Sequence, residues 1–342
     1  MPDSFPAFVA EERDGRVAGR IDRLTLDQLP PGDVTIEVEY SSLNFKDALA
    51  ATGRNRIAAS YPHVPGIDAA GTVVESSDPG VRPGDPVIVT AYEFGAGRFG
   101  GYACYARVPH EWVVRRPSSL SAFDAMAIGT AGYTAAMALL AIQHNGTRPS
   151  DGPIIVTGAT GGVGCLAIDL FAAAGYEVAA STGKPTLHDW LRRLGASELL
   201  SRDEAAIPAG AEVRHLMRTR WAAAVDNVGG ATLDYLLRTV KPYGNVALCG
   251  LVGGSTFRGT VMPFLLRGVN LLGIDSGHVP IVERQALWDR LATDLRPRHL
   301  HDIARRIALA DLPDVIASML GGEVHGRFVV AIEAERGHED LR

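Results

Sequence analysis

A regular alternation of short apolar segments with helical segments constrains the fold of this chain more than any other feature. Six segments have the pattern of buried strands: 154–157, 177–180, 198–200, 222–225, 245–249 and 270–275. Helical patterns occupy 163–174, 187–194 and 233–240 between them. This alternation predicts a parallel sheet covered by helices on both faces. Six strands are what the two mononucleotide-binding halves of a doubly wound sheet need.

The flanking regions have a different character. Residues 1–120 show short β-like runs separated by Gly and Pro, and an alanine-rich helical pattern follows at 122–142. After residue 280 come helical patterns at 282–295 and 312–320 and a strand-like segment at 327–332. Because this last strand has to pair with a sheet, we predict a β-rich domain of residues 1–120 plus 281–342. The nucleotide-binding domain, residues 121–280, is then an insertion.

A glycine-rich turn joins the first predicted strand to the helix that follows it. The turn reads Thr-Gly-Ala-Thr-Gly-Gly-Val-Gly over 157–164. Gly161 lets a pyrophosphate approach the backbone, and Gly164 lets the helix pack closely on the strand. Ala159 stands where the usual dinucleotide motif has its first glycine. The alternative is a tight turn without a ligand.

The end of the second predicted strand indicates which dinucleotide is bound. An NAD-binding domain has an Asp or Glu about 20 residues beyond the turn, whereas this chain reads Ala-Ser-Thr-Gly-Lys-Pro over 180–185. Lys184 and the hydroxyl of Thr182 suit a 2′-phosphate, with Arg202 as a second cation. We therefore predict NADP(H). The alternative is that Lys184 and Arg202 are solvated surface residues.

Composition excludes several classes of protein. The net charge is −6 and there is no dense basic block, so we expect no nucleic-acid partner. The longest apolar stretches that we identify, such as 135–142, fall short of a membrane span, and the N-terminal residues lack a secretory pattern. We expect a cytoplasmic protein. Three scattered cysteines, Cys104, Cys165 and Cys249, predict neither disulfides nor a structural zinc site.

Several segments together resemble a known family. They are 41–49 (SSLNFKDAL), 65–73 (PGIDAAGTV), 128–135 (IGTAGYTA), the glycine turn and 261–267 (VMPFLLR). In this order the chain resembles the medium-chain dehydrogenase/reductase superfamily. Within it, the resemblance is to the zinc-independent quinone oxidoreductase branch and most of all to the bacterial acrylyl-CoA reductase (NADPH) group. The resemblance implies an α/β fold, with a Rossmann-type doubly wound parallel sheet inserted in a β-rich GroES-like catalytic domain.

The resemblance also implies the site residues. Asn44 and Ile67 replace zinc ligands of the metal-dependent relatives, so no metal is expected. Contacts to the cofactor are implied for Phe45, Thr160, Gly161, Gly162, Val163, Thr182, Gly183, Lys184, Arg202, Leu251, Leu265, Ser276 and Arg327. Leu251 and Leu265 have the alternative of being core residues, and Arg327 that of a surface ion-pair residue.

The implied reaction is hydride transfer to the C=C bond of a small α,β-unsaturated acyl-CoA, with negative charge developing on the carbonyl oxygen. The family motif has a tyrosine where this chain has Phe45. We therefore select Asn44, through its amide N–H groups, and Lys46 as candidate catalytic residues. The alternative for Lys46 and Asp47 is a structural charge pair bonded to the backbone. Arg54 and Arg56 are candidates for the phosphates of CoA, with surface solvation as the alternative.

Two other functions stay open. One is an NADPH-dependent quinone or enone reductase of broad specificity, which would share every cofactor residue. The other is a non-catalytic NADPH-binding structural or regulatory protein, which the missing tyrosine would favour. We also expect a homodimer, because segment 270–274 would close the sheet with an apolar edge.

Overall fold

The computed structural model describes residues 2–333. The chain divides into two compact units, each described by itself below. Unit 1 comprises Met1–Thr130, Gly277–Thr293 and Ala304–Arg342, and unit 2 comprises Ala131–Ser276 and Asp294–Ile303.

The described residues form fifteen strands and nine α-helices. The strands are β1 Phe5–Arg13, β2 Arg16–Leu24, β3 Val34–Leu43, β4 Asp68–Ser76, β5 Pro86–Thr90, β6 Tyr105–Val108, β7 Val114–Arg115, β8 Ile154–Val156, β9 Val178–Thr182, β10 Ala196–Ser201, β11 Trp221–Asp226, β12 Val240–Leu248, β13 Asn270–Gly273, β14 Ala304–Ala308 and β15 Arg327–Ala331. The helices are α1 Phe45–Ala51, α2 Ala122–His144, α3 Gly162–Ala173, α4 His188–Arg193, α5 Gly230–Thr239, α6 Met262–Arg267, α7 Ile281–Leu291, α8 Leu300–Ile303 and α9 Leu312–Leu320.

Unit 2 is built on a six-stranded parallel sheet. Its strand order is β10-β9-β8-β11-β12-β13, the order of a doubly wound dinucleotide-binding sheet. All three residues of β8 and all six of β11 are buried, which explains why these strands are nearly continuous apolar runs in the sequence. The predicted six-stranded parallel sheet is confirmed.

Unit 1 is β-rich. Its larger sheet has the order β14-β15-β3-β4-β5-β7, with β6 also paired to β3, and β1 and β2 form a separate hairpin. β15 runs antiparallel to β3. The predicted pairing of the last strand with the N-terminal sheet is therefore confirmed. The short strand β14 was not predicted, because its sequence Ala-Arg-Arg-Ile-Ala lacks an apolar run.

The boundaries of the units differ from those that we placed at residues 120/121 and 280/281. The units divide after Thr130 and after Ser276, and residues 294–303 return to unit 2. Two contacts hold this returning segment there. The backbone N–H of His299 donates to the buried Asp169 of α3, and the indole N–H of Trp190 in α4 donates to the carbonyl of Asp302.

Helix α2 corrects one sequence-based expectation. By length and composition it could cross a membrane, so our statement that the apolar stretches fall short was wrong here. The short run 135–142 is only part of this helix, which spans Ala122–His144. Of its apolar window, 78% is buried inside the protein. This burial is typical of a core helix.

Gly129 interrupts α2. Its backbone lies at φ +50° and ψ −161°, outside the helical region. A β-carbon at this position would lie 2.5 Å from Nη2 of Arg327 and 2.6 Å from Oδ2 of Asp68. Glycine is therefore required both by the backbone conformation and by the space available.

We expect Gly129→Ala to lower the free energy of unfolding by about 3 kcal/mol or more, because it adds steric overlap to backbone strain. Gly15→Ala is the matched control, since Gly15 has φ +71° but no atom within 4 Å of a β-carbon. The control should cost about 1 to 2 kcal/mol. Urea unfolding measures both, and equal losses would show that crowding at Gly129 is unimportant.

Candidate functional site

The glycine turn of unit 2 has the conformation of a phosphate-binding turn. Gly161 is the N-cap of α3, so the N–H groups at the helix start are not used by the helix itself. A β-carbon on Gly164 would lie 2.4 Å from the carbonyl oxygen of Gly158, so α3 packs closely on β8 as predicted. Among the described residues beyond its chain neighbours and the backbone of its own helix, a β-carbon on Gly161 would meet only that same oxygen within 4 Å, at 3.3 Å. The backbone there is open to a ligand.

A buried carboxylate that we did not single out supports this turn. Asp226, at the end of β11, accepts a hydrogen bond from Thr157 Oγ1 at 2.6 Å and others from the backbone N–H groups of Val228 and Gly229. Burial raises the pKa of Asp226, while these bonds oppose the increase. The carboxylate thus joins the ends of β8 and β11, where the strand order of the sheet reverses. Its sequence signal is an acid directly after an apolar strand.

The predicted 2′-phosphate residues lie together at the end of β9. The hydroxyl oxygens of Thr160 and Thr182 are 3.4 Å apart, and the backbone N–H of Lys184 donates to Thr182 Oγ1. The Arg202 guanidinium lies over Gly183, where a β-carbon would be 2.9 Å from Nη2. Partial burial and the charge of Arg202 lower the pKa of Lys184. Two adjacent cations that repel each other fit a phosphate monoester, because a bound dianion removes that repulsion.

The other predicted cofactor residues of unit 2 are accessible. The side chains of Leu251 and Leu265 are 59% and 74% exposed, so the alternative that they are core residues is wrong. Val163 is partly buried, near the start of α3. Ser276 Oγ accepts a hydrogen bond from Thr134 Oγ1 at 2.7 Å. The contacts of these residues with a cofactor stay predictions.

Unit 1 contains a buried polar cluster around Asn44, formed with Ser42, Asp47, Asp68, Thr130 and Arg327. We call it the Asn44 cluster. Asp68 is fully buried at the start of β4. Its carboxylate accepts hydrogen bonds from Ser42 Oγ at 2.5 Å, Asn44 Nδ2 at 2.9 Å, and both the backbone N–H and the hydroxyl of Thr130 at 3.0 and 2.5 Å.

The Asn44 amide is fixed from both ends. Its Nδ2 donates to Asp68, with Asp47 Oδ2 at 3.2 Å and Ser42 Oγ at 3.3 Å as further acceptors. Its Oδ1 accepts from Arg327 Nη1 at 2.9 Å. Both amide N–H groups therefore face acceptors inside unit 1. The donor role toward a substrate that we predicted for them stays untested, and it would require breaking these bonds.

Arg327, the first residue of β15, is 2% exposed, so the alternative of a surface ion-pair residue is wrong. Its guanidinium donates to five acceptors within unit 1. They are Ala127 O for Nε, Leu43 O and Asn44 Oδ1 for Nη1, and Ser42 Oγ and Met126 O for Nη2. Since a guanidinium has five N–H groups, these bonds leave none for the cofactor contact that we predicted.

Asp47 completes the cluster. It is fully buried and accepts hydrogen bonds from the backbone N–H groups of Asn44, Gly66 and Ile67. Burial and the nearby charge of Asp68 raise the pKa of Asp47 to about 7. Lys46 takes no part in this cluster: it is exposed and forms no ion pair within residues 2–333. The alternative of a Lys46–Asp47 charge pair is therefore wrong for Lys46, although Asp47 is bonded to the backbone as that alternative required.

Phe45, the first residue of α1, is 42% exposed. It follows the Asn44 cluster directly in the chain. Asp68 and Ser42, which were not selected as site residues, gave no distinct signal, because other acids and hydroxyls occur in the same strands.

The parallel sheet, the open glycine turn and the two neighbouring cations, Lys184 and Arg202, define a dinucleotide-binding oxidoreductase that also has a β-rich unit. Family comparisons agree with this class. Residues 30–118 match the alcohol dehydrogenase GroES-like domain, and residues 162–293 match the zinc-binding dehydrogenase domain. The chain belongs to the medium-chain dehydrogenase/reductase superfamily.

Full-length relatives place the chain within that superfamily. It is 45% identical to acrylyl-CoA reductase AcuI of Ruegeria pomeroyi, over 96% of this chain and all of that one. It is 42% identical to the protein of Bacillus subtilis named quinone oxidoreductase YhfP, over 97% of this chain and all of that one.

Two solved structures show the same fold. The yhdH oxidoreductase of Salmonella enterica, in complex with NADP, is 44% identical and has a TM-score of 0.92 over 96% of this chain and all of that one. Bacillus subtilis yhfP, with NAD bound, is 43% identical and has the same TM-score and coverage. The resemblance to the acrylyl-CoA reductase group is confirmed.

Proposed function

We propose that the chain is an NADPH-dependent reductase that reduces the C=C bond of a small α,β-unsaturated acyl-CoA thioester of the acryloyl type. The observation that carries this proposal is 45% identity to an acrylyl-CoA reductase over the whole length of that relative. The yhdH protein, which has bound NADP and matches this fold throughout, supports the choice of cofactor.

The cofactor is held by unit 2. The open turn of Thr160, Gly161, Gly162 and Val163 takes the pyrophosphate at the start of α3. Thr182, Gly183, Lys184 and Arg202 take the 2′-phosphate. Leu251, Leu265 and Ser276 are assigned to the nicotinamide half. Phe45 is assigned to the cofactor as well. When bound, NADPH supplies the hydride for the reduction.

The protein must stabilise the negative charge that develops on the thioester oxygen. Because the amide N–H groups of Asn44 face Asp68, Asp47 and Ser42, Lys46 is the stronger candidate for this task. Its ammonium group is exposed and unpaired within the described residues. Asn44 holds the start of α1, and Phe45 supplies an apolar wall.

Metal dependence and cellular location are proposed on separate grounds. Within residues 2–333 no group of three or more His, Cys, Asp or Glu side chains could hold a metal ion. Asn44 and Ile67 are not zinc ligands, so we propose a zinc-independent reaction. Cys104, Cys165 and Cys249 are not joined to one another by disulfides, as is usual in a reducing compartment, and we propose a cytoplasmic location.

A quinone or enone reductase is the second candidate function, favoured by 42% identity to YhfP. The non-catalytic alternative has no structural observation in its favour beyond Phe45 in place of tyrosine. Both share the proposed cofactor site, so only the acceptor separates the three functions.

The acceptor test is NADPH oxidation, followed by absorbance, with acryloyl-CoA and a simple quinone in parallel. We expect efficient turnover of acryloyl-CoA, with kcat/KM at least tenfold above that of the quinone. Preference for the quinone would establish the second candidate. NADPH binding without turnover of either acceptor would favour the non-catalytic alternative.

A variant tests whether CoA itself is recognised. Arg54 and Arg56 are exposed beside α1, where they can reach phosphates. The Arg54→Ala, Arg56→Ala double variant should raise KM for acryloyl-CoA but not for a small enone. Equal changes for both acceptors would exclude these arginines from CoA binding.

Lys184→Ala should weaken NADPH binding by about 10- to 150-fold, because a hydrogen bond to a charged group is worth about 1.5 to 3 kcal/mol. NADH binding should change less than about twofold. Lys241→Ala is the control, since Lys241 Nζ donates to the carbonyl of Asp151 and lies outside the proposed site. Fluorescence titration measures each Kd, and equal losses for both dinucleotides would contradict the 2′-phosphate assignment.

We also propose a homodimer formed through β13. This strand is the last of the unit 2 sheet, and Leu271 and Leu272 are only partly buried. An edge of this kind is stabilised by pairing with a second copy. Sedimentation at micromolar concentration should give twice the chain mass of 36.3 kDa, and a single-chain mass would overturn the proposal.

A further inference from the structure

We propose that Arg327 and Asp68 are positioning residues for the reduction, holding the Asn44 amide in one orientation and fixing the start of α1. This proposal rests on the proposed function, because it takes Phe45 and Lys46, the first two residues of α1, to act in that reaction. It gives Arg327 a role through Asn44 rather than through the cofactor.

The charges on either side of Asn44 select one orientation of its amide. Arg327 presents only N–H donors, and it meets Oδ1 at 2.9 Å. The Asp68 carboxylate presents only acceptors, and it meets Nδ2 at 2.9 Å. A flipped amide would place NH₂ against the guanidinium and oxygen against the carboxylate. Both contacts would be repulsive, and burial makes them costly.

The fixed amide in turn fixes α1. Asn44 is the N-cap of this helix, and its backbone N–H donates to Asp47 Oδ2 at 2.8 Å. Asp47 is itself held by the N–H groups of Gly66 and Ile67, at 3.1 and 2.8 Å. The first turn of α1 is therefore anchored to β4 and β15 through the partly buried Asn44 and the buried side chains of Asp68 and Arg327. Phe45 and Lys46 follow this anchor directly.

Arg327 also supplies positive charge to a buried carboxylate. Its Nη2 lies 3.7 Å from Asp68 Oδ2, and both side chains are at most 2% exposed. Removing the cation alone leaves an uncompensated buried charge, which destabilises proteins strongly. Loss of folding alone is therefore no test of positioning. A variant that removes both charges is needed.

The experiment compares Arg327→Met, Arg327→Lys and the double variant Arg327→Met, Asp68→Asn with the wild-type protein. Each is measured for NADPH Kd by fluorescence, for kcat and KM with the preferred acceptor, and for urea unfolding. In the double variant we expect wild-type-like folding and NADPH Kd within about twofold, with kcat about 10- to 100-fold lower. Arg327→Lys should not restore kcat, because an ammonium group lacks the planar fork that reaches Asn44 and Ser42 together.

Arg238→Met is the matched control. Arg238 is a second buried arginine, paired with Asp234 in α5 of unit 2. Its loss should reduce stability while kcat, measured on folded protein, stays within about twofold of the wild-type value. A kcat loss equal to that of the double variant would mean that general loosening explains the effect, and positioning would be excluded.

Two further results would overturn the proposal. One is a double variant with wild-type kcat. The other is a Kd for NADPH raised tenfold or more at unchanged kcat, which would make Arg327 a cofactor contact.

A measurement that does not need turnover separates this proposal from the proposed function. In a double-mutant cycle of Asn44→Ala and Arg327→Met, the two changes should be coupled by about tenfold or more in the unfolding equilibrium constant. Without coupling, Arg327 does not hold the amide, whatever the reaction is. If the wild-type protein reduces neither acceptor, the proposed function and its positioning role both fail, while coupling would still show that Arg327 holds Asn44.

Discussion

The buried charges of Asp68 and Arg327, linked by hydrogen bonds through Ser42 and Asn44, are the constraint that the rest of unit 1 has to satisfy. A carboxylate without any exposure is costly to bury unless a cation or several donors meet it, and Asp68 has both. Its partners come from β3, α2 and β15, so satisfying one charge brings three distant parts of the chain together. Position 129 has to be glycine, because a β-carbon there would overlap with the side chains of Asp68 and Arg327.

The sequence predicted those elements whose structure depends on residues close together in the chain. Parallel strands buried on both faces must be apolar, so β8 and β11 stood out. The turn of residues 157–164 stood out because glycine is required at two of its positions: Gly158 has φ +58°, and a β-carbon on Gly164 would lie 2.4 Å from a carbonyl oxygen. Strand β14 was missed, because an edge strand with two exposed arginines carries no periodic apolar pattern. The return of residues 294–303 to unit 2 was missed as well, because it depends on His299 and Asp169, which are 130 positions apart.

The same difference between local and long-range contacts explains which site residues could be predicted from the sequence. Lys184 and Thr182 were found because they lie at the end of β9, about 20 residues beyond the glycine turn that follows β8. The roles of Asn44 and Arg327 could not be found in this way, because their contact spans 283 positions of sequence. From the sequence, we predicted that the amide N–H groups of Asn44 donate to a substrate. For Arg327 we left open that it forms a surface ion pair. Only the fold shows that each satisfies the other.

The position of β15 has a consequence for synthesis on the ribosome. This strand lies inside its sheet, between β14 and β3, although it is the last strand of the described chain. Strands β3 to β7 therefore leave the ribosome long before β15, which pairs with β3. Asp68 likewise leaves it long before Arg327. Unit 2, whose last segment ends at Ile303, can fold before β15 has been made. Until β14 and β15 are made, the sheet of unit 1 lacks two of its seven strands and Asp68 lacks its cation. An incomplete sheet of this kind exposes apolar surface and an unpaired strand edge, which is the state that chaperones protect.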